Sequence, residues 1–391
     1  MLSPFIINDK NLFLDRFPLG QVNRSLQAWD ATDEYLINHV QENNEQSSPL
    51  HIVVFNDSFG ALSCNLTQHQ VTIATDSYLS EQGIRHNIEQ NNLEADQIKI
   101  ISSLDPLPSD IDLILYRIPK SKSLMIEQLY RINQQYIEAS ADTQLNKPSF
   151  VAGAKAKEIH SSTLKEFEKL LGTTKTSLAV KKSRLVFSAL DRKITNQSIN
   201  KNNLCATWIL EKTNFSIANL ANVFAREKLD IGARLMLKHL PKLKSEQHAI
   251  DLGCGNGVLG LTLLANNEDV QVSFRDESYM AVESARLNVT QNLPTKIDAA
   301  NFIVGDCLTE AAPNSADVIV CNPPFHQQHA TTDHIAWQMF NESFKVLKKG
   351  GELRIVGNRQ LGYHVKLKRI FGNSTVIASD DKFVILSAIK K

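Results

Sequence analysis

The chain has 391 residues, 42 Lys and Arg balanced by 42 Asp and Glu, and 42% hydrophobic residues, enough for two domains of ordinary size that each bury a core. No apolar run approaches the ~20 residues of a membrane span, and the first residues lack a secretory cleavage pattern, so a cytoplasmic protein without membrane contact is expected. Five scattered cysteines, Cys64, Cys205, Cys254, Cys307 and Cys321, are odd in number and lack CxxC spacing, which excludes a disulfide framework and reads as reduced thiols with no metal site.

Along the chain the zero net charge resolves into blocks. Residues 25–112 carry fourteen Asp and Glu against Lys99 and Arg85. Within this acidic front an apolar run from His51 to Phe55 enters N-D-S-F-G-A-L-S, Asp76 opens a helical pattern, and Asp112 opens D-L-I-L-Y-R-I-P-K. Residues 145–193 are basic, eleven Lys and Arg against four acids, and residues 345–391 are similar, eleven against three. Such segregation allows a positive face on a neutral chain and admits a nucleic-acid partner. Residues 191–203 hold only two aliphatics and read as a linker between domains at 1–190 and 204–391.

The second half alternates strands and helices. Strands are predicted at 247–252, 270–274, 301–304, 317–321, 352–356, 374–378 and 383–389, with helices at 258–266, 279–292 and 335–347. This alternation implies a parallel sheet covered on both faces, with the last two strands antiparallel. The halves match in order at three places: Gly60 falls on Gly257, Asn87 on Asn288 with Asp76 near Asp276, and Pro119 on Pro324. Three ordered matches imply duplication.

The chemistry concentrates in the second copy. D-L-G-C-G-N-G at Asp251 to Gly257 lets a backbone bend sharply between strand and helix, and helix-start N–H groups then face a ligand's negative end. The third glycine comes one residue too early for a dinucleotide fingerprint. Asp251 is placed to meet the ammonium of a methionine moiety, and Asp276, nineteen residues beyond Gly257, to accept from ribose hydroxyls or else cap a helix. Asp306 follows the third strand, where an acceptor reads an adenine amine. Then comes Asn322-Pro323-Pro324-Phe325. An amide oxygen and the Pro323 carbonyl can accept both hydrogens of a planar amine, prolines hold those acceptors still, and Phe325 offers a stacking face. Phe224, Arg226 and Asp230 are candidates to close over the donor. His326 and His329 are not needed as bases, because the amine becomes acidic as its bond to a cationic methyl donor forms.

These motifs, with L-Q-A-W-D-A-T-D-E-Y-L from Leu26, A-G-A-K-A-K-E-I-H from Ala152 and N-V-F-A-R-E-K-L-D-I-G-A-R from Asn222, make the chain resemble the RsmC/RlmG family of ribosomal RNA guanine-N2 methyltransferases, most of all its large-subunit branch. The resemblance implies two tandem Rossmann-like class I methyltransferase domains, α/β, each a mostly parallel seven-stranded sheet. It implies S-adenosyl-L-methionine in the second domain, held by Asp251, Gly253, Gly255, Gly257, Asp276 and Asp306, and N2-methylguanosine in 23S rRNA, free or in an assembling subunit, as product. Arg275 stands where the family has an apolar residue.

In the first copy Asn56 and Ser58 replace two glycines, and Arg117 to Lys120 replaces Asn-Pro-Pro-Phe. That copy is expected to be inactive and to contact RNA phosphates through Lys155, Lys157, Lys181, Lys182 and Arg184. The alternatives are a 16S rRNA guanine, an adenine-N6 or glutamine-N5 acceptor, or a non-enzymatic ribosome-assembly factor.

Overall fold

The computed structural model describes residues 4–19, 26–43, 48–138, 147–191, 193–194, 204–324 and 330–391. The chain divides into two compact units, Met1–Leu204 and Cys205–Lys391. Most of the linker stretch expected at 191–203 lies outside the described residues.

The first unit opens with a ribbon of β1 (Phe5–Ile7) and β2 (Lys10–Leu12), then α1 (Ala31–Asn43), β3 (His51–Phe55), β4 (Gln70–Thr75), α2 (Tyr78–Gln90), β5 (Ile98–Ser102), β6 (Leu113–Arg117), α3 (Lys122–Asn133), β7 (Ser149–Lys155), α4 (Ser161–Leu170), β8 (Thr174–Thr176) and β9 (Ser183–Ser188). The second runs through a ribbon of β10 (Cys205–Ile209) and β11 (Ser216–Leu220), then α5 (Ile231–Leu237), β12 (His248–Leu252), α6 (Val258–Asn266), β13 (Gln271–Asp276), α7 (Tyr279–Asn292), β14 (Ala300–Val304), β15 (Ala316–Cys321), α8 (Ala330–Val346), β16 (Leu347–Asn358), α9 (Tyr363–Phe371), β17 (Thr375–Ser379) and β18 (Phe383–Ile389). Both large sheets have seven strands in one order, β5-β4-β3-β6-β7-β9-β8 and β14-β13-β12-β15-β16-β18-β17. Five strands are parallel and the closing hairpin is antiparallel in each. The α/β class with two mostly parallel seven-stranded sheets is the one expected. The short ribbons and α9 were not anticipated, and α8 starts earlier than its apolar spacing indicated.

Strand alternation supplies two cores per unit. In the second, Ala249, Val272, Phe274, Val318 and Val320 face α5, α6 and α7, while Ile250, Leu252, Ile319 and Cys321 face α8 and α9. Ring-sized side chains such as Phe274 and Phe340 are fully buried, each contributing roughly 1.5–3 kcal/mol over exposure. No described helix is long and apolar enough to cross a membrane.

Each unit also has, within itself, a set of hydrogen bonds of one pattern that hydrophobicity could not reveal. Asn288 in α7 accepts from the Ala218 N–H at 2.7 Å and donates to the carbonyls of Ala218 and Asn256, both at 2.9 Å. Asn87 in α2 repeats this on Asp15 and Phe59, three bonds of 2.8 Å. One turn on, Asn292 clamps Ser216 and Asn91 clamps Phe13, again through both amide atoms. These amides tie each N-terminal segment and glycine turn to the helix after the second strand. The register also corrects one match: the helix caps Ser77 and Ser278 align, so Thr75, not Asp76, stands where Asp276 does. Asn288→Ala removes three bonds at a side chain with 0% exposure and strands the Ala218 amide, so about 2–4 kcal/mol of stability should be lost, read from the denaturant midpoint of the full chain.

Candidate active site

In the second unit the chain passes from β12 to β13 on one side and to β15 on the other. Such a switch point opens a crevice above the strand ends. Gly253, Gly255 and Gly257 turn the backbone there with φ of 68°, 54° and 76°, a region costly for other L residues. They do two different jobs. Among the described residues a Cβ on Gly255 would meet nothing within 4 Å and one on Gly253 only the Met339 methyl at 3.2 Å, so these two are not crowded by them. A Cβ on Gly257 would lie 2.7 Å from that of Ala285, and one on Gly260 2.3 Å from the Phe274 ring. Gly257, expected among the donor contacts, is thus needed with Gly260 for packing α6 onto α7 and β13.

The loop is held from beneath. The Gly253 and Cys254 N–H groups donate to the Arg275 carbonyl at 2.8 and 3.0 Å, and the Gly255 N–H donates to Asp276 at 2.9 Å. Asp276 does not cap α7; the Ser278 hydroxyl does, accepting from the Ala281 N–H at 3.1 Å. Asp251 differs from its expected role. It is 1% exposed and accepts from the Gly260 N–H at 2.8 Å, under the loop instead of facing a ligand ammonium. Burial pushes its carboxyl up to about 7, the Asp276 charge adds to this, and the Gly260 bond opposes it. A cation near these two acids eases their mutual repulsion.

Asp306 follows β14 and accepts from Gln338 of α8 at 3.1 Å; Gln338 also donates to Glu342 at 3.0 Å, and Glu342 accepts from the Leu308 N–H at 2.7 Å. Burial lowers the Arg275 pKa while Glu310 and Glu342 oppose that shift, so the unexpected charge lies in an acidic field.

Asn322 follows Cys321, which pairs with Leu252 across the switch point. Its Nδ2 donates to Asp230 at 3.4 Å. Its Oδ1 is buried and has no partner among the described residues. A buried acceptor left unmet costs ~1–3 kcal/mol unless an incoming group supplies the hydrogen. Pro323 is buried and Pro324 half-buried; Phe325, His326 and His329 lie outside the described residues. Asp230 is the N-cap of α5, accepting from the Ala233 N–H at 2.9 Å. The approach that carries these candidates is β11 followed by turns. There Phe224 is exposed and the Arg226 carbonyl accepts from the Trp208 indole at 3.2 Å.

Against known proteins, residues 3–192 match the RLMG N-terminal domain and residues 214–387 the methyltransferase small domain. A Colwellia psychrerythraea ribosomal RNA large subunit methyltransferase G is 54% identical over the whole of both chains, and one from Pseudoalteromonas translucida is 46% identical over 98% of this chain and 97% of its own. The chain belongs to the ribosomal RNA large subunit methyltransferase G family. The fold is also that of a solved T. thermophilus 16S rRNA N2 G1207 methyltransferase, RsmC, in complex with AdoMet and guanosine, at 19% identity, a TM-score of 0.74, and coverage of 100% of this chain and 98% of that one.

Within this member of the methyltransferase G family the first unit carries mutually hydrogen-bonded side chains at the equivalent positions. Asn56 takes the place of Gly253 at φ 62°, and its amide donates to the Arg117 carbonyl at 2.8 Å and to Gln128 at 3.0 Å. Gln128 in turn accepts from the Tyr116 hydroxyl at 2.8 Å. Val54 stands at the Asp251 position. Arg117, at the Asn322 position, pairs with Asp30 at 3.1 Å and Asp33 at 3.4 Å.

The five basic candidates of this unit come together at one end of the β7–β9 pair, where Lys155 faces Ser183 and Ala154 faces Arg184. Two of them are engaged, Lys155 with Asp30 at 3.9 Å and Lys181 with Glu34 at 2.6 Å. Lys157 and Lys182 have no ion pair among the described residues.

Because the Asp251 carboxyl rises from 3.8 to about 7 on folding, its stabilising contribution is complete below about pH 4 and is lost as pH climbs through about 7. Asp251→Asn keeps an oxygen for Gly260 and removes the charge. Its melting temperature should therefore fall less between pH 5 and 8 than the wild type's; parallel curves would disprove the shift.

Proposed function

We propose that the second unit transfers a methyl group from S-adenosylmethionine to the exocyclic N2 of a guanine in 23S rRNA, and that the first unit binds RNA without catalysis. The observation carrying this reading is the buried Oδ1 of Asn322, without a partner among the described residues, beside glycines that the described residues leave uncrowded. The residues fit the donor: Gly253 and Gly255 leave room for it, and Asp251 with Asp276 supplies a field suited to a cation. When bound, S-adenosylmethionine supplies an electrophilic methyl on a sulfonium.

A guanine amine is conjugated with its ring, so its lone pair is delocalised into the π-system and is a weak nucleophile. Asn322 Oδ1 accepts one amine hydrogen and the Pro323 carbonyl the other, which turns the lone pair toward the methyl. Two consecutive prolines keep these acceptors in place. Asp276 and Asp306, at the ends of neighbouring strands, are assigned the ribose and the adenine edge. Phe325 is assigned the face of the base. As the bond forms, the amine proton passes to water, and no covalent enzyme intermediate is involved. In the first unit, the bonded Asn56 and Arg117 leave neither room for a donor nor a free acceptor.

Incubation of the full chain with labelled donor and unmodified 23S rRNA, followed by nucleoside analysis, should give N2-methylguanosine. Label on adenosine, on protein or on 16S rRNA alone would refute the assignment. Asn322→Ala should bind donor with unchanged affinity and lose 10²- to 10⁴-fold in kcat, on the order expected for a positioned acceptor. Reversing Lys157 and Lys182 to Glu should weaken RNA binding about tenfold near 0.1 M salt and flatten the log–log salt slope by about two units, leaving donor affinity intact.

A further inference from the structure

The Asn322 amide can act as an acceptor toward a substrate only if it is turned the right way, and an amide rotates freely unless something distinguishes its two ends. What faces it is a carboxylate. Asp230 offers oxygens alone, so the NH₂ end must point to it and the carbonyl end must point away. The contact is 3.4 Å, and the same Oδ2 accepts from the Ala233 N–H at 2.9 Å. Asp230 is thereby fixed by the helix it caps, at a φ of −60° in extended backbone, before it fixes Asn322.

The first unit provides an independent observation. Asp30 precedes α1 as Asp230 precedes α5, and Arg117 ends β6 where Asn322 follows β15. Asp30 holds Arg117 at 3.1 Å. An acid before this helix therefore meets the side chain after the fourth strand in both units. In both, that side chain is a donor toward the acid. Only an amide also retains an acceptor at its far end; a guanidinium has none.

We infer that Asp230 is a positioning residue for methyl transfer: it locks the Asn322 amide so that Oδ1 faces the reacting amine. This rests on the methyltransferase reading above. It acts through Asn322, so its effect belongs in the chemical step and not in the affinity for donor or RNA.

Two substitutions separate this role from helix capping. Asp230→Ser keeps a good cap but is one atom too short to reach Asn322, whereas Asp230→Asn keeps both the cap and an acceptor. With the full chain, S-adenosylmethionine and unmodified 23S rRNA, D230S should melt within a few degrees of wild type and bind donor within about twofold. Its single-turnover rate should fall roughly 10- to 100-fold, and D230N should recover most of that loss. In an Asn322→Ala background D230S should cost nothing more. The side-chain amide resonances of ¹⁵N-labelled Asn322, read without substrate, should move in D230S and stay near their wild-type positions in D230N. A wild-type rate in D230S, an additive loss in the double variant, or unmoved Asn322 resonances would each overturn the inference. If the resonances move in D230S but the wild type methylates no guanine, the pairing stands and the guanine assignment fails.

Discussion

In both units an acid at the start of the helix before the first central strand faces whatever side chain follows the fourth strand. The carboxylate demands a donor, and a limited set of side chains satisfies that demand. Arginine does so with charge: Arg117 is held by Asp30 and Asp33, and a guanidinium has no acceptor to offer. Asparagine does so with half of its amide, and the other half, Oδ1 of Asn322, stays buried without a partner among the described residues. At this position the two units thus differ in one residue's hydrogen-bonding inventory.

Around that pair the scaffold is held constant by polar clamps more than by apolar detail. Asn87 and Asn288 bind the same elements in the two units. At the strand starts, the His51 N–H donates to Asp112 at 2.8 Å and the His248 N–H to Asp317 at 2.9 Å. Buried amides that exchange both atoms with backbone are costly to break, since each loss strands a partner. Core hydrophobes can be exchanged at similar volume with less penalty. A repeated fold therefore keeps its clamps while its glycine loop changes from Gly253 and Gly255 to Asn56 and Ser58.

Much of this was legible in the chain itself. Strand-helix alternation indicated the sheet, and the helices at 258–266 and 279–292 have the limits their apolar spacing implied. The β10–β11 ribbon and the short α5 and α9 were not legible. Ribbons of five residues lack periodicity, and α9 fully buries only Tyr363, Leu367 and Phe371. Asp251 and Gly257 were legible as a motif and not as roles: spacing says a residue lies in a tight loop, not whether it points above or below it.

The sequence by itself determined the α/β class, the glycine turn, the acidic residues at successive strand ends and the amide-proline-proline step, because these depend on local periodicity and side-chain chemistry. Only the tertiary structure decided that Asp251 lies under the loop, that Gly257 packs against Ala285, that Thr75 replaces Asp276 in the first unit, and that Asp230 meets Asn322 across 92 residues of chain. These are relations between segments distant in sequence, set by sheet register and helix packing. No local pattern encodes them.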